Sequence, residues 1–205
     1  NVTFKTHYIM AKKVINTGAG AVKFIKPDYI VATLFDGTET DESAPKGDSY
    51  ILEDVIEDTT SISQDDNDTT DIECETSDSP IISIVKLGKW QFAAEIGDTQ
   101  KELLAALCDF TDDATGKKTL APSTYKAKYA KIDVVQVQPN GTTMEAYVLP
   151  KVQLNSKLTI ESLNSNLARI ALAGTAKDIA LTVGAKTVRT PFYVDHNYSL
   201  PTATE

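Results

Sequence analysis

The sequence predicts a mainly β protein, an antiparallel β-sandwich or barrel with one flanking α-helix. Short runs rich in β-branched and aromatic residues recur along the 205-residue chain and are separated by turns that contain Gly, Pro, Asn or Asp. Only residues 98–110 carry apolar residues at the three- and four-residue spacing of an amphipathic helix. Because strand and helix patterns do not alternate, a parallel sheet of βαβ units is not indicated.

The composition fits one domain with short extensions at both ends. We expect an N-terminal arm over residues 1–28, a single domain over residues 29–195 and a loose tail over residues 196–205. A chain of this length can bury a sizeable core without disulfides or metals. No apolar run approaches the roughly 20 residues that a membrane helix needs. The run MAKK at Met10 resembles a translation start, so we expect residues 1–9 to be upstream or added sequence.

The first half of the domain shows strand patterns before the helix. YIVATLF (29–35) and SYILEDVIED (49–58) are typical of strands, and the polar residues 36–48 between them predict a mobile loop. PIISIVKLGKWQFAAEI (80–96) predicts two short strands joined by a turn at Gly88.

The helix is predicted over about residues 99–109. Thr99 and Glu102 match a capping box, in which each side chain accepts a hydrogen bond from the free backbone N–H of the other residue. One face of this helix should pack on a sheet. The apolar residues of that face are Leu103, Leu104, Leu107 and Phe110.

Strand patterns resume in the second half of the domain. YKAKYAKIDVVQVQPNGTTMEAYVLPKVQL (125–154) alternates on both sides of Asn140-Gly141, a pair that supplies the positive φ angles of a tight hairpin. Further short strands are predicted in KLTIESL, LARIALAGTA, DIALTVG and TVRTPFYVD. Pro191 indicates an edge or a bend.

The negative charge is concentrated in one part of the chain. Residues 28–85 hold 17 acids and a single base, whereas residues 86–205 hold 12 acids and 14 bases. Residues 1–27 hold five lysines and no acid. Such asymmetry is typical of an interaction surface or a solvated arm. It argues against gripping duplex DNA, which requires clustered Lys and Arg.

No constellation of catalytic residues is recognisable. Both histidines, His7 and His196, lie in terminal segments, and Cys74 and Cys108 fit reduced thiols of a protein made in a cytosol. The acidic stretch 61–80 lacks the Gly at position six and the Glu at position twelve of an EF-hand, although an irregular calcium site stays open. Its seven carboxylates do not specify the pair that glycoside hydrolysis requires. We therefore predict a protein that is not an enzyme and has no cofactor.

Several loose motifs follow one another in a characteristic order. SQ precedes an acidic segment that leads into SDSPI, and two short strands and the helix DTQKELLAALCDF follow. The strand AYVLPKVQL and then RIALAGTA complete the order. In this order, over roughly residues 20–190, the chain resembles the major tail proteins, or tail tube proteins, of tailed bacteriophages.

The resemblance implies a structural virion protein with a small β-sandwich or barrel and a flanking helix. Six copies of such a subunit form a ring, and the rings stack into a hollow tube that conducts the genome during ejection. The implied partners are other copies of the chain and other tail proteins, such as the tape measure and the tail terminator. DNA would pass without specific binding. The implied location is the virion tail, after synthesis in the host bacterial cytoplasm, and a contractile injection machine is a close variant.

A head-to-tail ring contact requires two different complementary patches on each subunit. We expect the acidic patch to face the bore or the next ring, where it repels DNA phosphate, and a lysine-bearing strand to supply the opposite sign. A solvated loop is the alternative for the acidic residues. The acidic candidates are Asp65, Asp66, Asp68, Asp71, Glu73 and Glu75, and the basic ones are Lys126 and Lys128, with Lys117 and Lys118 nearby.

The alternative function is a soluble β-sandwich binding module, either carbohydrate-binding or adhesin-like. Such a module would carry aromatic side chains in a groove. Aromatic residues make up only 7% of the chain, and its single tryptophan, Trp90, lies in a predicted strand. We expect Trp90 to belong to the core.

Replacing the six acidic candidates by Asn or Gln should slow DNA ejection or alter tube assembly, because it removes the charge that repels phosphate and sets register. Electron microscopy of tubes and an infectivity assay measure the two effects. Unchanged assembly together with unchanged infectivity would contradict the assignment.

Overall fold

The computed structural model of the protein confirms the predicted fold class: antiparallel sheets dominate, and the described part contains one short helix. The N-terminal arm up to residue 26, the start at Met10 and the acidic candidate Glu75 lie outside the described residues, as does the side chain of Glu73. The structure describes residues 27–39, 44–74, 77–124, 126–138, 141–160, 168–183 and 186–202, without the side chains of 73–74, 77–81 and 183.

The elements follow the order that the sequence predicts. In chain order they are β1 (Tyr29–Leu34), β2 (Ser49–Leu52), β3 (Ser61–Gln64), β4 (Asp68–Cys74), β5 (Ser77–Lys86), β6 (Trp90–Ile96), α1 (Lys101–Cys108), β7 (Thr111–Asp112), β8 (Thr119–Leu120), β9 (Lys128–Val137), β10 (Met144–Leu154), β11 (Lys157–Thr159), β12 (Arg169–Ala176), β13 (Ile179–Val183), β14 (Lys186–Thr190) and β15 (Tyr193–Tyr198).

One large antiparallel sheet has the strand order β2-β1-β9-β10-β12-β6-β3, with β11 on β12 and β15 on β10. A β-bulge interrupts β10 next to β9, because Leu149 pairs with Ile132 but Val152 pairs with Ala130. Pro150 lies at this bulge, where a residue without an N–H donor is tolerated inside a sheet. Before the bulge the other edge of β10 pairs with β15, and after it that edge pairs with β12.

The larger of two apolar clusters lies against the sheet and also receives the helix. Buried residues from β1, β2, β6, β9, β10 and β12 share one apolar cluster with Leu104 and Leu107 of α1. In β12 buried and half-buried residues alternate strictly, which is the period-two pattern of a strand. Leu103 and Phe110 are half-buried and pack against the same cluster, so the predicted apolar face of the helix is confirmed.

The start of the helix differs from the prediction. Its N-cap is Gln100, which makes no side-chain capping hydrogen bond, so the capping box of Thr99 and Glu102 is wrong. The Asp98 carboxylate instead accepts a hydrogen bond from the Gln100 backbone N–H at 2.9 Å. Thr99 and Glu102 have the spacing of a capping box, but the helix begins one residue later than that motif requires, so Thr99 is not at the N-cap.

One strand boundary differs from the prediction, and the structure assigns the strand partners around Gly88. The second predicted strand is shorter: β2 ends at Leu52, and Val55 forms only an isolated bridge with Ile96. The two strands predicted on either side of Gly88 are present, and each pairs with a different strand: β5 with β4, and β6 with β3. An added Cβ at Gly88 would collide with the Asp65 carbonyl group, so close backbone approach requires the glycine.

The connection between β9 and β10 and the C-terminal boundary of the domain also differ from the prediction. β9 and β10 do pair, but Gln138 N–H donates to the Thr143 carbonyl at 2.8 Å, so the connection is longer than the predicted tight turn. Asn140 lies outside the described residues, and Gly141 has φ +70°. β15 extends to Tyr198, three residues into the predicted tail.

Part of the predicted mobile loop, residues 36–48, is held by local hydrogen bonds. The Glu39 carboxylate accepts hydrogen bonds from the backbone N–H groups of Asp36, Gly37 and Lys46 at 3.0, 2.9 and 2.7 Å. Residues 40–43 of this loop are outside the described part of the chain.

Gly174→Ala should destabilise the protein by about 1–3 kcal/mol, because there is no room for a larger side chain. An added Cβ would lie 2.6 Å from the Gln153 carbonyl oxygen and would overlap the Val152 side chain. Urea unfolding followed by circular dichroism measures the loss. Gly97→Ala is the matched control, since its Cβ would lie at an ordinary 3.7 Å from the Asp54 carbonyl oxygen. Equal stability of the two variants would contradict the prediction.

Candidate functional site

The acidic stretch 61–80 begins with β3 of the large sheet and continues into a ribbon of two strands, which we call the acidic hairpin (β4 and β5). Among the described residues these strands pair with each other and with no strand of the large sheet. Because directly paired residues share a face, the pairs Thr70–Ile84 and Ile72–Ile82 lie on the same face of the ribbon.

This face of the acidic hairpin is apolar and open to solvent. Ile72, Ile82 and Ile84 expose 47%, 53% and 54% of their surface. On the opposite face Val85 exposes 57%, and Leu87, which follows β5, exposes 71%. Single exposed apolar residues are common, whereas a contiguous group is typical of an interaction site. The ribbon therefore combines acidic charge with an uncovered isoleucine face.

The described acidic candidates are exposed and dispersed along the ribbon and its base. Asp65 accepts a hydrogen bond from the Gln91 amide at 2.9 Å, and Asp71 accepts one from the Ser83 hydroxyl at 2.5 Å. Asp68 pairs with Lys86 across the hairpin. Within the described residues no three His, Cys, Asp or Glu side chains come together in a way that could hold a metal ion.

The structure places the two basic candidates beside the C-terminus of the helix. Lys128 Nζ donates to the carbonyls of Ala105 and Ala106 at 2.6 and 3.1 Å and lies 3.2 Å from Asp109 Oδ1. These contacts satisfy the last turn of α1 and complement its dipole. Lys126 is exposed. Lys128 therefore has a structural role within the chain, which the sequence pattern did not reveal.

Lys126 and Lys128 also border a cavity of about 220 Å³ that contains Cys108. Burial raises the pKa of the Cys108 thiol to about 11, and the positive charge of Lys128 offsets only part of this effect. A thiol with a raised pKa stays protonated at neutral pH and is a poor nucleophile. The cavity therefore gives no support to a cysteine-based reaction.

A second projecting ribbon carries the opposite charge. This basic hairpin, formed by β13 and β14, pairs only within itself in the described part of the chain. Lys186 and Arg189 of β14 are exposed, and Val188 between them exposes 48% of its surface. These residues are not among the basic candidates predicted from the sequence, because β14 holds only two separated bases and those candidates lie in lysine-rich segments.

An apolar groove lies beside β3 and β6, at one end of the large sheet. The rings of Trp90 and Phe192 stack with centroids 4.5 Å apart, and Tyr147 lies 6.4 Å from Phe192. These rings line a space of about 430 Å³ with Ile62 and Pro27 among the other walls. Trp90 packs against the core, as predicted, and also forms a wall of this groove.

A buried carboxylate anchors the last strand to the centre of the sheet. Asp133 is 1% exposed, and its Oδ2 accepts hydrogen bonds from Lys131 Nζ at 2.7 Å and from the Tyr198 hydroxyl at 2.9 Å. Burial raises the pKa of Asp133 above its ordinary value of 3.8, and Lys131 and Tyr198 oppose this shift. Close by, His196 Nδ1 lies 2.7 Å from the buried Glu145.

Comparison of the chain with protein-family models and with curated protein sequences finds no match. Within the described residues, no helix has the length and apolar character needed to cross a membrane.

Asp133→Asn should flatten part of the pH dependence of stability. A carboxyl group with a raised pKa binds its proton more tightly in the folded state, so its contribution to stability is present below pH 3.8 and is lost as the pH rises through the raised value. The difference in unfolding free energy, wild type minus variant, should therefore fall with increasing pH in that window. Urea unfolding between pH 3 and 8 measures this difference, and a difference that rises with pH would contradict the prediction.

Proposed function

We propose that the protein is a structural subunit that assembles with copies of itself into stacked hexameric rings, forming the tail tube of a bacteriophage and a conduit for DNA ejection. The observation that carries this proposal is the uncovered isoleucine face of the acidic hairpin. The order of sequence motifs supplies the class of assembly, and the β-rich fold is compatible with it.

The isoleucine face favours association on energetic grounds. A two-stranded ribbon is marginally stable in water unless another surface covers it. Burying the remaining exposed half of Ile72, Ile82 and Ile84 would contribute about 1 kcal/mol for each residue, or about 3 kcal/mol for each contact. Repeated around a ring and between rings, a contribution of this size stabilises a polymer of subunits that are separately folded.

The charge of the acidic hairpin suits a conduit. The two strands of this hairpin hold four carboxylates and one base, Lys86, and Asp65 and Asp66 precede them in the chain. Acidic side chains repel DNA phosphates, so a wall that carries them lets the polymer slide instead of holding it. Under this proposal the partners are other copies of the chain and further tail proteins, and the tail of the virion is the place of action.

The double variant Ile82→Asp/Ile84→Asp should fold but should fail to assemble at wild-type concentrations. It removes at least about 2 kcal/mol of burial from each contact, which corresponds to roughly a 30-fold rise in the concentration needed for assembly. Sedimentation velocity and negative-stain microscopy over a concentration series measure this change.

Leu120→Asp is the matched control, because Leu120 exposes 48% of its surface on β8, outside the acidic hairpin. Its assembly should remain at the wild-type level. Rings or tubes formed by the double variant at wild-type concentrations would contradict the role of the isoleucine face. Thermal unfolding of each variant separates an assembly defect from a folding defect.

The aromatic groove favours a second candidate, a soluble β-sandwich binding module. Stacked rings such as those of Trp90 and Phe192 are a surface on which sugar rings or apolar groups can pack. As the single tryptophan, Trp90 provides a direct fluorescence signal for a ligand in the groove. A chain that stays monomeric and changes its tryptophan emission on titration with oligosaccharides would favour this candidate over the tube subunit.

A further inference from the structure

The acidic and basic hairpins each leave strand edges open. β4 pairs with β5 and β14 pairs with β13, and within the described residues neither β4 nor β14 has a partner on its other side. An open edge presents a row of backbone N–H and C=O groups and is a template for pairing with another chain. Both edges belong to ribbons that carry strong and opposite side-chain charge.

The charges on the two edges have the same spacing. Asp68 and Asp71 are three residues apart on β4, and Lys186 and Arg189 are three residues apart on β14. One antiparallel register therefore places Asp68 opposite Arg189 and Asp71 opposite Lys186 at the same time. Opposite charges that face each other across two strands stabilise the pair.

The residues between the charges fit the same register. Thr69 would lie opposite Val188, and Thr70 opposite Thr187. All four side chains are β-branched, which favours the extended backbone and close cross-strand packing. The matched segment thus contains four consecutive pairs without a clash of like charges.

We propose that β4 of one copy pairs edge to edge with β14 of the next copy, in antiparallel register, with Asp68 opposite Arg189 and Asp71 opposite Lys186. This inference rests on the proposed self-assembly and names the surfaces that meet. The contact is heterologous, since two different patches of the same chain are joined, and such contacts generate rings or stacks. Pairing of β4 with a second β4, or of β14 with a second β14, is disfavoured because it places like charges opposite each other.

The other basic positions are less suited to this contact. The Lys128 side chain is only 27% exposed and is engaged with the C-terminal carbonyls of α1 and with Asp109. Arg189 also donates a hydrogen bond, to the Asp178 carbonyl at 3.4 Å, but it is exposed on the open edge. Lys117 and Lys118 lie on the connection between β7 and β8, where Asp113 accepts hydrogen bonds from their backbone N–H groups. Asp112 and Asp113 balance the charge of these two lysines within β7 and its connection to β8.

Charge reversal on each edge tests the pairing. The variant Asp68→Lys/Asp71→Lys and the variant Lys186→Glu/Arg189→Glu should each require about a 10-fold or higher concentration to assemble, because two attractive pairs become repulsive. An equimolar mixture of the two variants should assemble near the wild-type concentration, since every contact then joins a basic edge to an acidic one. A single chain with all four reversals should also assemble.

The control Lys117→Glu/Lys118→Glu changes the same number of basic side chains outside the proposed contact and should assemble as the wild type does. Sedimentation velocity and negative-stain microscopy measure all variants, and circular dichroism verifies that they fold. Restoration by mixing supports the pairing. Wild-type assembly of both reversed variants, or a mixture as inactive as its parts, would overturn the pairing while leaving the proposed function intact.

Wild-type chains that stay monomeric at every concentration would overturn the proposed function and the pairing together. A cysteine pair gives a direct geometric readout. Thr70→Cys and Thr187→Cys, combined with Cys74→Ser, should form disulfide-linked ladders of subunits under oxidation, since these positions lie opposite each other in the proposed register. Absence of ladders in tubes that do assemble would also overturn the pairing.

Discussion

The structure depends on β10, a strand that has two different neighbours along one edge. Its first half lies between β9 and β15, its second half lies between β9 and β12, and the β-bulge at Pro150 separates the halves. In a flat sheet, one edge of a strand pairs with one neighbouring strand. The bulge bends β10, so the same edge pairs with β15 before the bend and with β12 after it. Proline is compatible with this position because the ladder is already interrupted there.

The bend produces two apolar clusters on opposite faces of the same central strands. The larger one includes Ile132 and Leu149 and receives the helix, whereas the smaller one includes Val135 and Ala146 and is bordered by Tyr198. Asp133 lies beneath Tyr198, so the last strand is held by a buried hydrogen bond as well as by its pairing with β10. The central strands are thus covered on both faces, and neither apolar cluster includes residues of β4, β5 or β14.

Under the proposed function, the acidic and basic hairpins are available for contacts between subunits. The acidic hairpin extends from the body with an open isoleucine face, and the basic hairpin extends with exposed Lys186 and Arg189. Neither ribbon is joined to the large sheet in the described part of the chain. A body that folds by itself, combined with two different open edges, is the physical requirement for a subunit that polymerises head to tail. The proposed tube function and the proposed edge pairing both follow from this division of roles.

The sequence by itself determined the type of most elements. Alternation in RIALAGTA predicted a strand that appears as β12, and the spacing of Leu104 and Leu107 predicted the helix that packs on the core. Turn residues marked where strands end, and composition placed the excess of acid in one segment. These properties are local: they depend on backbone preferences and on which side of an element faces the core.

Only the tertiary structure decided which strands are neighbours. Alternation identifies the faces of a strand but not its partner, so the sequence did not predict that β5 pairs with β4 and that β6 pairs with β3. The same limit applies to the candidate site. Lys128 belongs to the helix terminus because the fold brings it there, and Lys186 faces solvent on an open edge because β14 pairs only with β13 in the described residues. Such assignments depend on contacts between residues far apart in the chain, which local patterns do not encode.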